Sequence, residues 1–131
     1  MNKLTLKIAS LKKALLTFEE LIKESPTTIE RDAAIQRFEY CFELSWKSLK
    51  EGLKEEGFAL EELNSPRNVL KTGFQAGYIN NDEIWIEMMH ERNLTSHTYN
   101  EQLAKDIYGG FDKFHTAMAN LLKQLESNFI R

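Results

Sequence analysis

Residues 4–22, LTLKIASLKKALLTFEELI, place Leu4, Ile8, Leu11, Leu15, Phe18 and Ile22 at alternating steps of four and three. That spacing lines one face of an α-helix, and it decides the fold class because the same period recurs along the chain. Ser25-Pro26 ends the segment, since the residue before a proline avoids the helical region. Thr27 with Glu30 then reads as a capping box opening a second helix. Its stripe is Ile35, Phe38, Phe42, Trp46, Leu49 and Leu53, ending near Gly57. Ser65-Pro66 has the N-cap and N1 pattern of a short helix that runs to about Ala76 and closes at Gly77.

Asn80-Asn81-Asp82 caps a fourth helix carrying Ile84, Trp85, Met88 and Met89 and continuing to about Ser96. The last helix begins after Asn100 and uses Leu103, Ile107, Phe111, Phe114, Met118, Leu121, Leu125 and Phe129. Gly109-Gly110 interrupts that pattern at about 1 kcal/mol per glycine and predicts either a kink or a close helix approach. No segment alternates with period two over a useful length, and there is no internal repeat. The expectation is an all-α fold, an antiparallel four-helix up-and-down bundle with an additional short helix, forming one domain over residues 1–131.

A chain of 131 residues buries enough surface to stand without a disulfide or metal staple. The single cysteine, Cys41, has no internal partner and reads as a small buried hydrophobe in a reducing, cytoplasmic setting. No stretch approaches a membrane span, and Lys7, Lys12 and Lys13 interrupt any signal-peptide core after Met1. The formal net charge of −3 argues against a strong nonspecific nucleic-acid binder, whose affinity comes from neutralising phosphates. The charge is uneven, with 9 Lys/Arg against 7 Asp/Glu in residues 1–50 and 8 against 13 in the remainder, so a local basic patch stays open.

Most familiar site patterns are absent: there is no glycine-rich phosphate loop, no cysteine pair for zinc and no nucleophile elbow. His90-Glu91 begins like a zinc-protease motif, but Leu94 stands where the second histidine is needed. The dense polar cluster is Arg92-Asn93-Leu94-Thr95-Ser96-His97-Thr98-Tyr99. Arg92 lies seven residues after Trp85 and so continues a stripe that is apolar until then. On an ideal helix Arg92 and His97 are about 140° apart. Their convergence on one substrate requires the helix to loosen near 95–98 or two copies to meet. An arginine and a histidine without a nucleophilic side chain suit RNA cleavage, in which the substrate's 2′-hydroxyl attacks, histidine moves protons and arginine stabilises charge on phosphorus. The bland alternative is a helix-end histidine and an arginine paired with Glu87 or Glu91.

The segment Arg92-(x4)-His97-x-Tyr99 resembles the R-x4-H-x-Y signature of the HEPN superfamily, in its HepT branch. Residues 36–47 (QRFEYCFELSWK), 65–70 (SPRNVL) and 74–79 (FQAGYI) are similar to other blocks of that branch, in order, across residues 30–108. The branch is also labelled nucleotidyltransferase substrate-binding proteins. The resemblance implies a homodimeric four-helix bundle, paired with a minimal nucleotidyltransferase (MNT) in a toxin–antitoxin system, acting as a metal-independent RNase without a cofactor. By carry-over, His97 transfers protons, Arg92 contacts the phosphate, Asn93 helps position it, and Tyr99 accepts AMP from the partner. A rival reading is a non-catalytic subunit that binds substrate or nucleotide for a separate nucleotidyltransferase. A second rival is a scaffold dimer whose motif braces a helix end.

Overall fold

The structure is a computed structural model that describes residues 2–130. Among the described residues six α-helices run in chain order: α1 (Lys3–Glu19), α2 (Thr28–Glu55), α3 (Pro66–Gln75), α4 (Asp82–Leu94), α5 (Glu101–Tyr108) and α6 (Phe111–Phe129). Two 3-10 turns, Leu60–Leu63 and Thr95–His97, lie between them. The described residues contain no strand, as the period of the apolar positions predicts.

The helix starts follow the sequence closely. Thr27 accepts from the Glu30 N–H while the Glu30 carboxylate accepts from Thr27 N–H, which completes the capping box of α2. Ser65 caps α3 with Pro66 in its first turn, and Asn81 and Asn100 cap α4 and α5. Gly57 and Gly77 take φ values of 95° and 90° past the ends of α2 and α3, a left-handed conformation that a side chain would oppose.

Two boundaries differ from the sequence reading. α1 ends at Glu19, short of Ser25-Pro26, because Tyr108 captures the backbone groups that would have continued it. Its hydroxyl donates to the Leu21 carbonyl at 2.7 Å and accepts from the Lys23 N–H at 2.7 Å. The final helix is two helices, broken at Gly109-Gly110 into α5 and α6. A Cβ at Gly110 would stand 3.0 Å from Phe114 Cε2, so the glycines mark a kink that lets the Phe114 ring fold back over the break.

α2 packs against all five other helices. Its Phe38 sits at the centre of an aromatic cluster, with ring centroids 5.0 Å from Phe111, 5.6 Å from Phe114 and 6.3 Å from Phe18. Phe42, one turn on, meets Trp85 of α4 at 6.4 Å. Cys41 on the same helix is fully buried, and burial pushes its thiol up to about 12. Trp46 is only half-buried and donates its indole N–H to Glu43 at 3.1 Å.

Two substitutions test this packing. A Cβ at Gly73 would lie 2.6 Å from Leu49 Cδ2, and Leu49 is fully buried, so making room for the methyl disturbs the packed core. Overpacking of about 1–3 kcal/mol then offsets or exceeds the ~1 kcal/mol of helix propensity gained, so Gly73→Ala should lower stability in urea, by up to about 2 kcal/mol. Tyr108→Phe should destabilise by about 1 kcal/mol and speed amide exchange at Lys23 more than at α6, because it removes only the tether on the α1–α2 connection.

Candidate functional site

The residues that the sequence singles out gather where α4 ends. Trp85 and Met88 of α4 are buried, and two turns beyond Trp85 the stripe reaches Arg92, which faces α2 as that stripe predicts. Its partners are on α2, in place of Glu87 or Glu91. Arg92 Nη1 lies 3.1 Å from Glu39 Oε2, and Nε lies 3.6 Å from Glu43 Oε1. Glu87 instead pairs with Lys113 at 2.7 Å. Burial raises the Glu91 carboxyl above the usual carboxylate range.

Thr95 locks the guanidinium from the other side. Nη1 donates to Thr95 Oγ1 at 3.1 Å, and that hydroxyl lies 3.0 Å from Glu39 Oε2 and 2.7 Å from the Arg92 carbonyl. Having one hydrogen, it donates to one of these oxygens at a time. The side chains of Arg92, Glu39 and Glu43 are 30%, 32% and 36% exposed, so each ion pair contributes about 1 kcal/mol or less. The arrangement therefore orients the guanidinium more than it stabilises the bundle. Nη1 is committed to Glu39 and Thr95, Nε is buried without a hydrogen bond, and Nη2 donates no hydrogen bond among the described residues.

His97 closes the 3-10 turn Thr95–His97, so the helix does loosen where the sequence analysis requires it. A 3-10 turn advances about 120° per residue instead of 100°, which widens the separation from Arg92 to about 180°. Among the described residues the two side chains share no hydrogen bond, and His97 borders neither of the hollows that Arg92 lines. His97 is exposed, and its ring meets Tyr99 edge-on, 6.0 Å between centroids at 84°. Tyr99 is 86% exposed. Asn93 is exposed beside Arg92 without bonding to it; Glu39 and Thr95 are the groups that hold Arg92. His90 is exposed, and His115 places Nε2 3.1 Å from the Leu15 carbonyl.

Helical periodicity singles out neither Glu39 nor Glu43, and it marks Thr95 only as a member of the polar cluster 92–99. The available signal was two carboxylates four residues apart on α2, each directly following a core phenylalanine. Arg92 stands between two surface hollows. One, of about 400 Å³, is bounded by Gln36, Tyr40 and Leu44 of α2 and Ala14 of α1. The other, of about 340 Å³, lies between α2, the start of α3 and α4. Among the described residues no three His, Cys, Asp or Glu side chains are grouped to hold a metal ion, and no helix is long and apolar enough to cross a membrane.

Comparison with known proteins places this geometry. A crystal structure of a Thermus thermophilus protein is 40% identical and superimposes with a TM-score of 0.81, covering 88% of this chain and 98% of that one. Haemophilus influenzae HI0074, described as having the fold of a substrate binding domain of a nucleotidyltransferase, is 26% identical with a TM-score of 0.70 over 94% of this chain and 96% of its own. A Haemophilus influenzae protein named probable ribonuclease HepT is 32% identical over 94 residues. That match takes in 70% of this chain and 64% of the relative, so the chain spans just under two thirds of that protein's length. Residues 6–127 match the family model described as nucleotidyltransferase substrate binding protein like. The all-helical fold, the near-complete span of that match and the HepT relative together establish that this chain belongs to the HepT-like, nucleotidyltransferase substrate-binding protein family.

Proposed function

We propose that this protein is an RNase of the HEPN type, active as a homodimer and restrained by a nucleotidyltransferase partner that adenylylates Tyr99. The observation that carries this reading is the division of labour within eight residues. Arg92 is held on a mount of Glu39 and Thr95 with Nη2 uncommitted, while His97 and Tyr99 stand exposed beside each other.

The chemistry suits those residues. The RNA 2′-hydroxyl attacks the adjacent phosphorus, the bond from phosphorus to the 5′-oxygen breaks, and a 2′,3′-cyclic phosphate and a 5′-hydroxyl result. His97 takes the 2′ proton or supplies one to the leaving oxygen, and Arg92 stabilises charge on the phosphoryl oxygens. Asn93, exposed at the same rim, contacts the strand. The nucleophile belongs to the substrate, so the step needs no metal and no cofactor. Because Arg92 and His97 face apart within one chain, the pair that acts on one phosphate is assembled across two copies.

Tyr99 fits the role of AMP acceptor. Its oxygen attacks the α-phosphorus of ATP, pyrophosphate leaves and the hydroxyl proton is lost. The product sets a negative phosphodiester beside His97, where it repels RNA by the electrostatics that govern phosphorylation switches. A cytoplasmic location follows from pairing with such an enzyme and an RNA target. The second reading, a substrate-binding subunit without cleavage, is favoured by one feature: Glu39 and Glu43 already neutralise Arg92 in a chain of net charge −3.

Cleavage of single-stranded RNA in the presence of EDTA decides between them. His97→Ala should lower the rate by about 10²–10⁴. Arg92→Ala should lower it by about 10²–10³. His97→Ala should leave the melting temperature at the wild-type value, since the side chain is exposed. Cleavage that survives both substitutions removes the site assignment, and an unmodified, inactive wild type favours the binding subunit. Supplying the partner and ATP should add AMP by mass spectrometry to wild type and not to Tyr99→Phe; addition to the variant would place the acceptor elsewhere.

A further inference from the structure

Arg67 has no role in the chemistry above, yet it lines the same hollow as Arg92 and Asn93. That hollow, about 340 Å³, has Phe42 and Glu43 of α2 on one wall and Ser65 and Arg67 at the start of α3 on another. Arg67 is exposed and forms no ion pair among the described residues. It also sits in the first turn of α3, which contains no acidic residue. A cation at a helix N-terminus opposes the helix dipole, so local helix energetics do not account for it. The same turn brings the positive end of α3 to the hollow, an environment suited to an anion.

Among the described residues Glu43 is the only carboxylate bounding the hollow, and it holds Arg92 weakly. Its Oε1 lies 3.6 Å from Arg92 Nε without a hydrogen bond, while its Oε2 accepts from Trp46 Nε1 at 3.1 Å and lies 3.7 Å from Lys47 Nζ. Glu43 can therefore give up Arg92 and keep two partners. Its departure frees the Nε–Nη2 edge, the fork with which an arginine grips a phosphate through two parallel hydrogen bonds. Glu39 and Thr95 hold Nη1 throughout and set the direction of that fork.

We infer that this hollow seats a phosphate of the RNA strand, gripped by Arg67 together with Arg92, and that Glu43 is the carboxylate the phosphate displaces. Arg67 is then a substrate-binding residue and Glu43 an internal competitor that suppresses the binding of weak anions. The inference rests on the RNase reading and adds a strand contact to those of Arg92 and Asn93.

The test is the affinity of a fully 2′-O-methylated RNA oligonucleotide, which cannot be cleaved, measured by fluorescence anisotropy over a range of salt. Arg67→Ala should weaken binding about five- to tenfold and make the slope of log K against log salt shallower by about 0.7, the loss of one single-strand phosphate contact. Lys71→Ala removes the same charge from the same helix outside the hollow and should change affinity less than about twofold. Glu43→Gln should tighten binding about threefold or more, by removing the competing charge. Arg67→Ala behaving like Lys71→Ala, or Glu43→Gln leaving affinity unchanged, overturns the inference. If Arg92→Ala weakens binding and Arg67→Ala does not, the RNase reading stands and this seat falls. If the wild type, shown by mass spectrometry to carry no AMP, binds no RNA, both fall.

Discussion

Burial of Phe38 and Phe42 is the constraint on which the site depends. Phe38 is locked among Phe18, Phe111 and Phe114, and Phe42 against Trp85. Neighbouring residues on a helix point about 100° apart, so fixing the two rings also fixes where Glu39 and Glu43 emerge. Trp85 and Arg92 share a stripe of α4, so the contact that docks α4 on α2 also delivers Arg92 to those two carboxylates. Core and site are consecutive residues on α2 and lie two turns apart on one stripe of α4. A core substitution that rotates α2 slightly would therefore misdirect the guanidinium while the bundle remained folded.

The division of α2 into an inner and an outer face also bears on electrostatics. Two carboxylates four residues apart repel, and a guanidinium between them relieves the repulsion. Arg92 is consequently both held and masked. An arginine without such partners would bind any passing anion, whereas this one requires a ligand able to compete with a carboxylate. A phosphodiester strand offers several contacts at once, and multiple contacts are what a masked cation selects for.

Helix periodicity and capping residues made the fold legible. Thr27 with Glu30, Ser65-Pro66, Asn81 and Asn100 each mark a start that the structure keeps, because caps act within three residues of themselves. The end of α1 was not legible, because the group that ends it, the Tyr108 hydroxyl, is 87 residues away from Leu21. Gly109-Gly110 announced a disturbance but not which kind; the Phe114 ring lying against Gly110 decides for a kink. The site divides in the same way. Arg92 betrayed itself by standing on an apolar stripe, a local pattern. Its partners Glu39 and Glu43, and its neighbour Arg67, come from other helices, and the i, i+4 spacing of the two carboxylates does not say which cation they hold.

Cys41 offers one consequence of a different kind. Its side chain is fully buried beside Phe42, and its thiol is pushed up to about 12, far from the reactive thiolate form. A thiol reagent thus meets no target until α2 leaves the core. The lone thiol is a built-in clock for opening of the central helix, and its labelling rate in native conditions reports how often the helix whose carboxylates hold Arg92 detaches from the bundle.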